Sequence, residues 1–132
     1  MKSIIDIKVY YEDTDAGGIV YYANYLRYFE RARTEYLEQR NLNISDLVKK
    51  GIVFVVVEVE AKYHFPAQLG DVLQIETTLS ELKKVSLVFE YIIKRKLDNK
   101  ILVTGKTKIA VVSPERKVIK LSQEIFDKLA KE

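Results

Sequence analysis

From Asn24 to Arg40 the chain runs without a glycine or proline, and its apolar residues recur at helical spacing. Tyr25, Tyr28, Phe29, Ala32 and Tyr36 follow the three-to-four-residue period, with Leu26 and Leu37 flanking them. Arg27, Glu30, Arg31, Arg33, Glu35 and Glu38 fall largely between these positions, where Glu30 and Glu35 are expected to pair with neighbouring arginines. Asn24 reads as the N-cap. The first two turns carry little purely polar surface, so this one long helix has to be wrapped by other structure rather than laid on it. No other feature limits the possible folds as strongly.

What could do the wrapping lies on both sides of it. Before the helix, residues 4–12 alternate Ile5, Ile7, Val9 and Tyr11 on one face, the period of a strand. A short helical turn, NISDLVKKG, follows it, with Asn43 or Ser45 as cap and Gly51 as stop. Beyond that the period changes to two. IVFVVVEVEAKYHF, DVLQIETTLSEL, KVSLVFEYIIKRKL and KILVTGKTKIAVVS are rich in β-branched and aromatic residues, with turn signals between them. Ser122 reads as the cap of a final short helix. Strand, long helix, then four successive strands predict an α+β layout, an antiparallel meander curved around the buried helix, in a single domain spanning 1–132. The edge strand left over predicts a shared sheet between copies, a homodimer.

Composition removes several chemistries. The chain has no cysteine and a single histidine, His64, so thiol nucleophiles, disulfides and multi-histidine metal centres fall away. No metal site or cofactor motif is read from the spacing. The formal charge of +3 is mild and no basic-aromatic stripe accompanies it, which argues against a nucleic-acid partner. The opening MKSIIDIKVYY is interrupted by Asp6 and Lys8 and is not read as an export signal. No membrane span is read either, and a cytoplasmic location is expected.

Chemistry concentrates in YEDTDAGGIVYYANYL, residues 11–26. Asp15 lies two residues before the pair Gly17 and Gly18, and the pair precedes the helix start. Glycines let a backbone turn sharply and approach a ligand. A helix start offers free N–H groups and the positive end of the macrodipole. Such donors can hold an oxyanion, while a carboxylate beside them can attack a carbonyl or activate water. The same residues also suit an acidic turn before a helix. Asp13, two residues from Asp15, would face the other way in an extended chain and is read as structural.

This segment, through RYFERARTEYL, resembles the acyl-CoA thioesterases of the hot-dog superfamily, the 4-hydroxybenzoyl-CoA thioesterase type and its Tol-Pal-associated relatives. The resemblance is most specific over residues 10–37, in Y-E-D-T-D-A-G-G-x-V-Y-x-A-N-Y followed by E-R-A-R, and FPAQLGDVLQIET extends it. It implies a hot-dog fold, hydrolysis of an acyl-CoA to a carboxylic acid and free CoA, and a homotetramer as the alternative to the homodimer. It implies Asp15 as the catalytic carboxylate and a carbonyl-polarising N–H close to Tyr22. Many relatives carry His where this chain has Tyr22, so a mechanism that needs an imidazole does not transfer. Tyr11 and Tyr22 are placed to line an acyl pocket, and Lys83 and Lys84 to meet the CoA phosphates. His64, near a strand end, reads as a hydrogen-bonded rim residue. A dehydratase on the same fold would need a well-placed histidine. A non-catalytic acyl-CoA-binding protein would have no use for the carboxylate.

Overall fold

A computed structural model of the protein describes residues 2–131. The strands are β1 (Lys2–Lys8), β2 (Val53–Tyr63), β3 (Val72–Leu82), β4 (Ser86–Arg95) and β5 (Lys100–Val112). The helices are α1 (Asn24–Glu38), α2 (Ile44–Lys49) and α3 (Gln123–Ala130). All strand pairings are antiparallel, but the order across the sheet is β1-β3-β4-β5-β2. Only β3, β4 and β5 form the expected meander. β2 does not pair with its successor; it joins the far edge beside β5, and segment 64–71 carries the chain back across the strand ends to β3. Period-two patterning says which residues share a face and nothing about which strand is a neighbour, so the meander of four is corrected to three plus two added edges.

The first strand is also shorter than its alternation suggests. β1 stops at Lys8 and the chain turns through a 3-10 turn at Tyr11–Asp13. Tyr11, which continued the apolar alternation, is 81% exposed. The turn is stabilised locally: the Asp13 carboxylate accepts the Tyr10 N–H at 2.9 Å.

α1 lies against one face of the sheet. Tyr25, Tyr28, Phe29, Ala32, Tyr36 and Leu37 are all buried. Phe29 stacks on Tyr91 of β4 at 4.3 Å, and Tyr36 meets Phe89 edge-on at 5.4 Å. Each such side chain contributes about 1.5–3 kcal/mol by leaving water, and aromatic pairing adds roughly 0.5–1.5 kcal/mol. The close approach depends on Gly105 of β5, where a Cβ would sit 2.3 Å from Phe29 Cζ. The helix stops where Asn41 enters the left-handed region at φ 59° and the Leu42 N–H bonds back to the Leu37 carbonyl at 3.0 Å.

Among the described residues the expected Glu–Arg pairs on α1 do not form. Arg33 instead donates to the Tyr91 hydroxyl at 3.4 Å, Arg31 lies over the Tyr28 ring at 5.8 Å, and Glu30 accepts from Thr34. Exposed ion pairs are worth so little that ring faces and a hydroxyl compete for these cations. Asn43 and Ser122 cap α2 and α3 as read from the sequence, each accepting a backbone N–H three residues on.

Candidate active site

Segment 14–20 forms a tight hairpin ahead of α1. Thr14 bridges Val20, the Asp15 N–H bonds the Ile19 carbonyl at 2.9 Å, and the Gly18 N–H returns to the Asp15 carbonyl at 3.0 Å. Gly18 closes the loop at φ +79°, a conformation other residues adopt at a cost, although a side chain there would meet nothing within 4 Å. At the loop's base Asp15 is exposed. Its Oδ1 accepts the Gly17 N–H at 2.8 Å, which orients the carboxylate and leaves Oδ2 without a hydrogen-bond partner among the described residues. The hairpin is strapped to the 64–71 crossover, since the Val20 N–H bonds the Ala67 carbonyl and the Leu69 N–H bonds that of Gly18.

From the hairpin the chain passes directly into α1. The N–H groups of Asn24, Tyr25 and Leu26 bond three residues back, to Tyr21, Tyr22 and Ala23. Among the described residues the N–H groups of Tyr22 and Ala23 have no acceptor. Two free amides therefore stand at the start of the helix, with its positive end behind them.

Asn24 is not the cap. Ala23 holds that position, and no side chain caps it. The Asn24 amide instead donates to Asp13 Oδ1 at 3.0 Å. Asp13 is buried at 7% exposure; its carboxylate takes Asn24 and the Tyr10 N–H, and its carbonyl takes the Tyr21 N–H. It thus ties the hairpin to the first turn of α1, a structural role. The fully buried Tyr28 hydroxyl lies in the same pocket without a formed hydrogen bond. Burial pushes its pKa well above the ordinary tyrosine value, and the adjacent Asp13 carboxylate pushes it further.

Tyr22 is 56% exposed, with its ring against Tyr63. Tyr11 stands in solvent on the 3-10 turn. His64 is exposed and pairs with Thr104 Oγ1 at 3.1 Å on the neighbouring strand. Asp15, Gly17 and Gly18 share the hairpin and Tyr22 follows it at the entry to α1, whereas Lys83 and Lys84 are not brought to them. These lysines follow β3, whose first residue lies near the hairpin end and whose last is about 33 Å away at 3.3 Å per residue. Lys83 pairs with Glu81 at 3.0 Å. A cavity of about 190 Å³ sits along the second half of α1, lined by Leu37, Leu47, Val48, Phe54, Phe89 and Ile109 with Glu30 and Arg33. It starts about 12 Å along the helix from Tyr22. Among the described residues no group of three His, Asp or Glu side chains could hold a metal ion, and no helix is long and apolar enough to cross a membrane.

A five-stranded antiparallel sheet around one apolar helix, with a carboxylate hairpin at the helix start, defines a hot-dog protein. Residues 9–129 match the thioesterase-like superfamily, and the chain belongs to it. It is 44% identical over 108 residues to the acyl-CoA thioesterase YbgC of Haemophilus influenzae, a match covering 80% of this chain and 77% of that one. It is 45% identical over 83 residues to the acyl-CoA thioester hydrolase YbgC of Escherichia coli O6:H1, covering 63% of this chain. That second match spans only 62% of the relative's length. A hypothetical protein, TT1821 of Thermus thermophilus, superposes with a TM-score of 0.92 at 31% identity, covering 98% of this chain and 96% of that one.

Proposed function

We propose that the protein hydrolyses acyl-CoA thioesters, with Asp15 as the reacting carboxylate and the Tyr22–Ala23 amides as the carbonyl-polarising donors. The observation that carries this reading is a carboxylate oriented by the Gly17 N–H in the hairpin that leads into a helix start with two free amides. As the thioester carbonyl is attacked, negative charge develops on its oxygen, and preset N–H dipoles stabilise it without reorganising. Asp15 either takes a proton from the attacking water or adds to the carbonyl itself to form an anhydride that water then opens. On both routes the carbon–sulfur bond breaks, CoA leaves as a thiol, and the acyl group leaves as a carboxylic acid. The names of the curated relatives support the same activity.

A homodimer belongs to the proposal. β2 is an edge strand, and Val56, Val57 and Val59 on it are 44%, 52% and 47% exposed. A long apolar edge of this kind is normally covered. Antiparallel pairing of β2 with β2 of a second copy would carry that copy's Lys83–Lys84 turn to the end that holds Asp15. This would restore the lysines as phosphate contacts. A cytoplasmic location goes with the reading.

The test is Asp15→Asn, assayed as free-thiol release from a panel of acyl-CoAs. Turnover should fall on the order of a hundredfold or more with KM little changed, because the charge acts in the reaction and not in gripping CoA. Near-normal turnover would remove Asp15 from the chemistry. A wild type that binds acyl-CoA and cleaves none would make the protein a binder instead.

A further inference from the structure

Tyr63 is the last residue of β2, and the site described so far makes no use of it. Its ring lies 4.7 Å from that of Tyr22 and 5.6 Å from that of Tyr25. Tyr25 in turn is fixed twice: its ring meets Tyr28 edge-on at 5.8 Å, and its hydroxyl accepts the Ala67 N–H at 3.2 Å. A row of rings therefore runs from the core to Tyr22, with Tyr63 as a link.

The backbone shows what this link could control. Tyr21 is anchored through its N–H to the Asp13 carbonyl, and the Asn24 N–H is anchored to the Tyr21 carbonyl. Between them, the N–H groups of Tyr22 and Ala23 make no hydrogen bond among the described residues. Tyr22 is 56% exposed, and among the described residues its ring contact is with Tyr63. The turn that carries the two free amides is thus met from the side by one ring on the edge strand.

Resting on the hydrolase reading above, we propose that Tyr63 is a positioning residue: it clamps the Tyr22 ring and so holds the Tyr22–Ala23 amides facing the thioester carbonyl beside Asp15. Preset donors stabilise a transition state because they need not reorganise, so releasing the clamp weakens turnover without touching the groups that bind CoA. Tyr63 is itself 44% exposed, so shortening it leaves the buried core filled.

The experiment compares wild type, Tyr63→Phe and Tyr63→Ala. It reads kcat and KM for an acyl-CoA, hydrogen exchange of the Asn24–Leu26 amides, Tm, and sedimentation. Tyr63→Phe keeps the ring and should keep kcat within about twofold. Tyr63→Ala should lose on the order of tenfold in kcat, the weight of one aromatic pair. KM, Tm and assembly should hold while exchange in the first helical turn quickens. The proposal is overturned if Tyr63→Ala turns over normally, or if Tyr63→Phe falls as far, which would assign the effect to the hydroxyl. A loss that tracks a lower Tm or a broken assembly also overturns it. A wild type inactive on every acyl-CoA defeats the hydrolase reading instead, and the exchange rates then decide alone whether Tyr63 holds the turn.

Discussion

Replacing Asn24 by Ala takes away the side-chain donor of a carboxylate that is almost wholly out of water. Asp13 Oδ1 accepts that amide at 3.0 Å, and its other oxygen is already committed to the Tyr10 N–H. At 7% exposure, water cannot simply take the donor's place. A hydrogen bond to a charged group is worth about 1.5–3 kcal/mol, and alanine returns roughly 0.5 kcal/mol through its better helix propensity. The net loss is about 2 kcal/mol, which for a chain of this size lowers Tm by about 6–10 °C. Thermal and urea unfolding at fixed protein concentration would measure it. A second variant sharpens the test. With Asn24→Ala in place, Asp13→Asn removes the stranded charge and still leaves an oxygen for Tyr10, so the double variant should recover part of the loss. Strict additivity of the two changes, or a Tm shift under about 2 °C, would refute the link between the hairpin and the helix start.

Tyr28→Phe should flatten the alkaline limb of stability. The unfolded chain ionises this hydroxyl near pH 10, whereas burial and Asp13 make the folded protein hold the proton to higher pH. The stabilisation is therefore complete below the unfolded pKa and is lost as pH rises above it. From about pH 9 upward the wild-type urea midpoint should fall relative to that of Tyr28→Phe; parallel curves would contradict the assignment. Gly105→Ala should destabilise by about 1–3 kcal/mol or more through overpacking on Phe29, and Phe29→Leu in the same chain should restore part of it, as read by urea unfolding. A Gly105→Ala protein as stable as wild type would mean that α1 sits farther from β5 than described.

What was legible in the sequence is what periodicity encodes. α1 announced itself through Tyr25, Tyr28, Phe29 and Tyr36, and the four later strands through their β-branched runs, each ending within a few residues of its expected bounds. Strand partnership was not legible, because β2 and β3 carry the same kind of pattern and only tertiary packing sends one of them to the far edge. Tyr11 extended an alternation that the Asp13–Tyr10 turn overrides. Asn24 suited a cap by residue type, yet its partner is a carboxylate eleven positions earlier that no local rule connects to it. Gly105 carried a weak signal, a glycine inside a strand pattern. Tyr63 carried none, being an ordinary aromatic at a strand end.

The strand order also sets a schedule for assembly. β3, β4 and β5 are joined by short turns and can pair from local encounters, but residue 2 must find residue 78 and residue 53 must find residue 112. The entropy of closing those long loops falls due before the pairings repay it. The Asp15 hairpin is strapped to the crossover that exists only once β2 has taken its far edge. The Asp15 corner is consequently expected to acquire its shape only after the β3–β5 meander has paired.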